Sequence, residues 1–283
     1  MNHYEHNTAI FIAHDSQQLF FQSWEVENPQ KIVIVVHGLG EHSGRYYNLL
    51  KALANEKISF YAYDHRGHGN SGGSRGHLEH FEEYLLDLNI FINLIKQRNE
   101  SLPILLFGHS MGGVIALKYV LDYPNQVDKI ILSSPGLIPA IKIPVWKEKL
   151  GQKLSKILPK LTIPSGLKAE DLSHDQEVVQ KYLADPLVHN KVSARWFTEF
   201  TKAGQESLQR SSELKIPLFL FHGKNDKIVA YQGSQQVFEK ASSEDKEIYL
   251  AENLYHETMN EALPEKEEVL AKVKAAILKE IKN

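Results

Sequence analysis

The sequence predicts a doubly wound α/β sheet with a serine raised at one strand-to-helix corner. Three observations predict it. Strand-length apolar runs recur along the chain, with amphipathic segments of helical spacing between them, the alternation that builds a parallel sheet covered on both faces. One run, Lys31-Ile32-Val33-Ile34-Val35-Val36, is continuously apolar after its first residue and β-branched, as suits a strand buried on both sides. Another, 104–107, passes through Gly108-His109-Ser110-Met111-Gly112 into the helical spacing of Val114 to Tyr123 and stops before Pro124.

The elements follow in order. Residues 8–13 and 18–24 flank Asp15-Ser16 and read as an antiparallel hairpin. Further strands are expected at 31–36, 58–63, 104–107, 129–132, 217–221 and 247–250. Helices are expected at 46–56, carrying Tyr47, Leu50 and Leu53, and at 81–98, carrying Leu85, Leu88, Ile92 and Ile95. A last helix is expected at 269–281, carrying Val273, Ile277 and Ile281. The stretch 136–212 breaks the alternation. It holds Pro139, Pro144, Pro159, Pro164 and Pro186 and no convincing buried strand. It reads as a helical cap inserted into a core made of 1–135 and 213–283. From Ile143 through Trp146 and Leu150 to Leu161 the cap is amphipathic and basic, a pattern that could place Trp146 and the leucines in lipid with lysines at the head groups.

Composition removes several classes of function. A chain of 283 residues with 42% hydrophobic content can bury one large core with an insertion. The net charge of −3 gives no general attraction to nucleic acid. With no cysteine there is no disulfide, thiolate zinc site or cysteine nucleophile. The N-terminus lacks a basic region followed by an apolar core, and no apolar run reaches the ~20 residues of a membrane span. The expectation is a cytoplasmic enzyme, at most peripheral at membranes.

The corner carries the chemistry. A serine in Gly-x-Ser-x-Gly between a strand and a helix shows its hydroxyl above the sheet edge. Met111 follows it, so its backbone N–H opens the helix beside that hydroxyl, half of an oxyanion hole. The loop after the 31–36 strand, His37-Gly38-Leu39-Gly40, should supply the other half through the N–H of Leu39. His37 reads as a turn hydrogen-bonder. A nucleophilic serine needs a base, and the base an orienting acid. On such a sheet the order is serine, acid, histidine. Asp226 follows the 217–221 strand, where these sheets place their sites. Downstream of it only one histidine remains, His256.

Two patterns mislead. Gly67-His68-Gly69-Asn70-Ser71-Gly72 has dinucleotide-site spacing, but Gly73-Ser74-Arg75-Gly76 prolongs a loop where a helix should open. The pairs His65/His68 and His77/His80 have no matching third ligand, so no metal is expected.

With these residues assembled, the chain resembles the monoglyceride lipase and lysophospholipase branch of the α/β-hydrolases. The resemblance rests on His37-Gly-Leu-Gly-Glu-His-Ser-Gly-Arg-Tyr46, Tyr63-Asp-His-Arg-Gly-His-Gly-Asn-Ser71 and Gly108-His-Ser-Met-Gly-Gly113. Asp185-Pro186-Leu187, His222-Gly223-x-x-Asp226 and Tyr255-His256-Glu257 complete it. It implies an eight-stranded, mostly parallel sheet with helices on both faces and an inserted cap. It implies Ser110, Asp226 and His256 as the catalytic triad and the N–H groups of Leu39 and Met111 as the oxyanion hole, with no cofactor and no metal. Glu41 and Arg45 match positions near the alcohol end or form a structural ion pair.

The implied reaction is hydrolysis of a small lipid ester, first of all a monoacylglycerol, to fatty acid and glycerol through an acyl-enzyme. The alternatives are a lysophospholipase or a short-chain carboxylesterase. A ligand-binding protein without turnover is a reading of another class. A peptidase would need a carboxylate to take a substrate amine, and none is identifiable in the sequence.

Overall fold

The computed structural model describes residues 4–99, 101–141 and 144–281, without the side chains of Val145, Lys147 and Glu148. Ile143, the first residue of the expected amphipathic stretch, lies outside them. In chain order the elements are β1 (Glu5–Ile12), β2 (Gln18–Glu25), β3 (Lys31–Val36), α1 (Tyr47–Ala52), β4 (Ile58–Tyr63) and α2 (Glu82–Arg98). Then come β5 (Ile104–His109), α3 (Met111–Asp122), β6 (Lys129–Ser133), α4 (Val145–Ile157), β7 (Thr162–Pro164) and α5 (Gln176–Ala184). The chain ends with β8 (Lys191–Ser193), α6 (Ala194–Gln209), β9 (Leu218–Gly223), α7 (Gln232–Lys240), β10 (Lys246–Ala251) and α8 (Glu265–Leu278).

Eight strands form one sheet in the order β1-β2-β4-β3-β5-β6-β9-β10. The β1/β2 and β2/β4 pairs are antiparallel and the rest parallel. The continuous apolar runs lie at the centre, with every residue of β4, β5, β6 and β9 buried. Their alternation splits the core in two. Ile32, Ile34 and Val36 face one layer with residues of α2, α3 and α6, while Val33 and Val35 face the other with α1 and α8. Burying each such side chain contributes ~1.5–3 kcal/mol, so register is strongly specified: a one-residue slip would exchange the two faces. Lysines at the start of two buried strands still find partners. Lys129 Nζ donates to Ala276 O, and Lys31 Nζ to the carbonyls of Ile277, Leu278 and Lys279, closing the C-terminus of α8.

Several expectations need correction. Tyr47 is exposed, and Tyr46 takes its place inside, because the chain turns inward one residue before α1 begins. The last helix starts earlier, at Glu265, with three glutamates in its first turn, where the helix dipole favours them. It ends before Ile281, which packs half-buried against the core. α7 was not anticipated, since in Gln-Gly-Ser-Gln-Gln-Val-Phe-Glu-Lys Val237 is the one large apolar side chain fully buried. The excursion between β6 and β9 holds no long buried strand among the described residues, as expected; β7, wholly exposed, pairs there with the three-residue β8.

Candidate active site

Ser110 stands between β5 and α3 with φ 53° and ψ −115°, a conformation that a side-chain-bearing residue seldom holds. The flanking glycines make it possible. A Cβ on Gly108 would lie 2.5 Å from the Gly112 carbonyl oxygen, and one on Gly112 would lie 2.0 Å from that of Val36. The corner is tied down where Ser110 N–H donates to Ser133 O at 3.0 Å and Gly136 N–H donates to Ser110 O at 2.9 Å.

The structure brings the three distant side chains together. His256 Nε2 is 2.9 Å from Ser110 Oγ, and its Nδ1 is 2.6 Å from Asp226 Oδ2. With Nδ1–H donating to the carboxylate, Nε2 presents its lone pair to the serine hydroxyl. Burial alone would raise the Asp226 pKa, but the charge of His256 and hydrogen bonds from His222 and His256 hold it well below the ordinary range. For His256, burial works toward a lower pKa and the Asp226 carboxylate overrides it, so the imidazole is more basic than usual.

Leu39 and Met111 border the same cavity as Ser110. Neither backbone N–H is engaged in a hydrogen bond among the described residues. The Leu39 loop is held from behind. Gly38 N–H donates to Glu41 Oε1 at 2.5 Å and Tyr46 O–H to the same oxygen at 2.9 Å. Glu41 Oε2 pairs with Arg45 at 3.0 Å, and Arg45 forks onto both oxygens of Glu257 at 2.7 and 3.0 Å. Against the cost of burial, Arg45 draws the Glu41 pKa down to about 2. Glu41 and Arg45 therefore form the ion pair that was one of their two expected roles, and Glu257 completes it.

His37 has both ring nitrogens occupied by backbone: His65 N–H donates to Nε2 at 2.9 Å, which leaves Nδ1–H for Gly38 O at 2.7 Å. The decoys settle in the same region. His65 and His68 pack with His37 and His189 at ring distances of 4.1–6.2 Å. The Gly67–Gly72 loop wraps around the buried Asp64, which accepts Asn70 N–H and the N–H and O–H of Ser43. A Cβ on Gly69 would sit 2.1 Å from Asp64 Oδ2, so that glycine serves close packing.

Three supporting residues were not foreseen from sequence. Glu257 joins the Arg45 fork, Ser134 O–H donates to the His256 carbonyl at 2.9 Å, and His222 touches Asp226. The available signal was a polar residue next to each apolar strand end or motif, at Ser133-Ser134, His222 and Glu257.

The buried histidines make a pH prediction. Burial lowers the pKa of His37, His65 and His68, and lowers His109, next to His256, to about 4. These groups stay neutral in the fold while the unfolded chain begins to protonate near pH ~6.5. The stability they confer is therefore complete above that pH and lost as pH falls toward their folded values. His109 alone accounts for a loss on the order of 3 kcal/mol; His256, shifted the other way, offsets part of the total. The urea midpoint should fall steeply between pH 6.5 and 4.5, and a flat profile would contradict the neutral cluster.

Comparison with known proteins shows the family. The family described as "Serine aminopeptidase, S33", a hydrolase family, matches residues 27–262, which include Ser110, Asp226 and His256. A monoacylglycerol lipase of Mycolicibacterium smegmatis is 33% identical over 92% of this chain and 93% of its own. The chain belongs to this family of α/β-hydrolases, in its monoglyceride lipase branch. A phospholipase of Bacillus subtilis is 32% identical over 89% of this chain and 97% of its own. The crystal structure of a monoacylglycerol lipase from Paleococcus ferrophilus superposes with a TM-score of 0.82 at 30% identity, covering 96% of this chain and 98% of that one.

Proposed function

We propose that this α/β-hydrolase cleaves the ester of monoacylglycerols, with Ser110, His256 and Asp226 as its triad and residues 136–212 as its cap. The observation that carries the reading is a cavity of about 360 Å³ that starts at Ser110, Leu39 and Met111 and runs under the cap between Leu137, Trp196 and Phe200. It is lined mainly by apolar side chains, and each methylene of a fatty chain buried there contributes ~0.8 kcal/mol. In the reaction, Ser110 Oγ attacks the ester carbonyl while His256 Nε2 takes its proton. The N–H groups of Leu39 and Met111 hold the oxyanion, and loss of one such donor typically costs ~10²–10³ in turnover. His256 returns the proton to the departing glycerol oxygen. Water, deprotonated by His256, then releases the fatty acid and frees Ser110.

The family description names an aminopeptidase, but among the described residues the cavity lining holds no Asp or Glu to receive a substrate ammonium, and Glu41 and Glu257 are committed to Arg45. The similarity to a bacterial phospholipase favours a second reading, lysophospholipid as substrate. Rates on monoolein, lysophosphatidylcholine and p-nitrophenyl butyrate separate these. Monoolein should be cleaved fastest; a large excess for the butyrate ester would sink the lipid reading.

Contact with a lipid surface belongs to the same proposal. Trp146 and Ile157 are each 63% exposed, and Leu150, Leu158, Leu161 and Ile163 also face solvent. Residues 141–168 carry seven lysines against one glutamate. Apolar side chains beside a basic band fit an anionic bilayer, and Leu167 lies both on this exposed face and at the cavity wall. Among the described residues no helix is long and apolar enough to cross a membrane. The protein should co-sediment with vesicles containing phosphatidylglycerol, and Lys153→Glu with Lys156→Glu should abolish that. Equal binding by wild type and variant would refute the contact.

A further inference from the structure

Asp226 is shared by two histidines. Its Oδ1 accepts the N–H groups of Ile228 at 2.8 Å and Val229 at 2.9 Å. Its Oδ2 accepts His256 Nδ1–H at 2.6 Å and lies 3.0 Å from His222 Nε2. His222, the next-to-last residue of β9, is fully buried. Its Nε2 faces a second acceptor, Val229 O, at 3.2 Å, and its Nδ1 lies 2.8 Å from the equally buried Ser234 Oγ of α7. Two oxygens facing Nε2 require the proton there, so Nδ1 is the acceptor and Ser234 donates to it. The other tautomer would aim a lone pair at both a carboxylate and a carbonyl.

We infer that His222 is a positioning residue for the proposed hydrolysis, the fourth member of a hydrogen-bonded chain Ser110–His256–Asp226–His222–Ser234. The inference rests on the triad assigned above. His222 saturates the carboxylate, so Asp226 has four donors and no freedom to rotate away from His256. Its N–H also directs the positive end of a dipole at the oxygen that His256 uses, which tempers the pull of Asp226 on the imidazolium. The bond to Val229 O ties the acid to the cavity wall, because Ile228 and Val229 line the acyl cavity. The strand supplies the placement: on β9 the chain leaves a wholly buried position directly into the Asp226 turn.

The test uses the full chain with three substitutions. His222→Leu keeps the bulk and removes both polar contacts. His222→Gln keeps a donor toward Asp226. Ser234→Ala removes the hydroxyl that donates to His222 Nδ1 and polarises its N–H toward Asp226. For His222→Leu, kcat should fall about 10- to 100-fold, the scale of a hydrogen bond to a charge, with KM nearly unchanged. The acid limb of kcat/KM should move to higher pH, since Asp226 then holds the His256 proton more tightly. Gln should recover most of kcat and the original limb; Ser234→Ala should show a smaller shift of the same sign. His109, Glu41 and Glu257, the other titratable groups around His256, are untouched in all three.

A merely structural residue would lower the melting temperature and leave the limb in place. A folded His222→Leu with the wild-type limb and kcat overturns the inference. If His222→Leu does not fold, a Ser234→Ala profile identical to wild type overturns it instead. Fluorophosphonate labelling of the wild type keeps the two claims apart: no labelling at Ser110 refutes the triad, whereas labelling with an unmoved limb refutes only the role of His222.

Discussion

Ser110→Ala should leave a folded protein that hydrolyses monoolein about 10⁴–10⁶ times more slowly than wild type, the scale seen when a nucleophile is removed from a triad. The fold should survive because alanine keeps the Cβ and the backbone corner is held by Gly108, Gly112 and bonds to Ser133 and Gly136, none of which uses Oγ. The change in stability should stay within about 1 kcal/mol. Activity should collapse because His256 then has no proton to accept and no covalent intermediate can form. Adding His256→Ala should cost almost nothing further, since residues that act as a unit are not additive. A fluorophosphonate should mark the wild type once and the variant not at all. Labelling of Ser110→Ala would place the nucleophile elsewhere and leave the cavity as a binding site without turnover.

Arg45→Met should be the most destabilising single change at the site. Arg45, half-buried, lies between the buried carboxylates of Glu41 and Glu257. Methionine fills the volume and leaves two carboxylates facing one another, the situation in which breaking a buried pair costs ~3–5 kcal/mol. That is a large part of the ~5–15 kcal/mol of a typical domain. The pH dependence should invert. In the wild type the depressed pKa of Glu41 gives stability present above its unfolded value near pH ~4.5 and lost as pH falls toward about 2. Without Arg45 the folded pKa rises above the unfolded one, so the variant should be most destabilised at neutral pH and least below pH ~4.5. Activity should fall too, because Glu41 Oε1 fixes Gly38, the residue before the proposed donor Leu39. Urea midpoints at pH 7 and pH 4.5 check this. Equal losses at both would show that Arg45 acts by packing against Tyr182, whose ring lies 4.7 Å away.

The central strands were legible because each is buried on both faces, and nothing but an unbroken apolar run satisfies that environment. The strand-to-helix corner at Ser110 was legible because close backbone approach admits only glycine at Gly108 and Gly112. α7 was not, because a short polar helix with Val237 as its main anchor has too weak a periodicity. Tyr46 and Tyr47 were exchanged because helical spacing says nothing of the residue just before the first turn. Glu257 and His222 were invisible as supports, since their partners Arg45 and Asp226 become neighbours only after folding.

By itself, then, the sequence determined the α/β alternation, the central strands and the serine corner. These depend on local sterics and on periodic burial, and both are written in neighbouring residues. Tertiary structure alone decided the 2.9 Å and 2.6 Å contacts of His256, the Glu41–Arg45–Glu257 clamp behind the 37–40 loop, the second histidine on Asp226 and the apolar cavity beside Ser110. The physical reason is that directional bonds between side chains as many as 212 positions apart depend on how whole strands and helices are laid against one another. No window of sequence contains that arrangement.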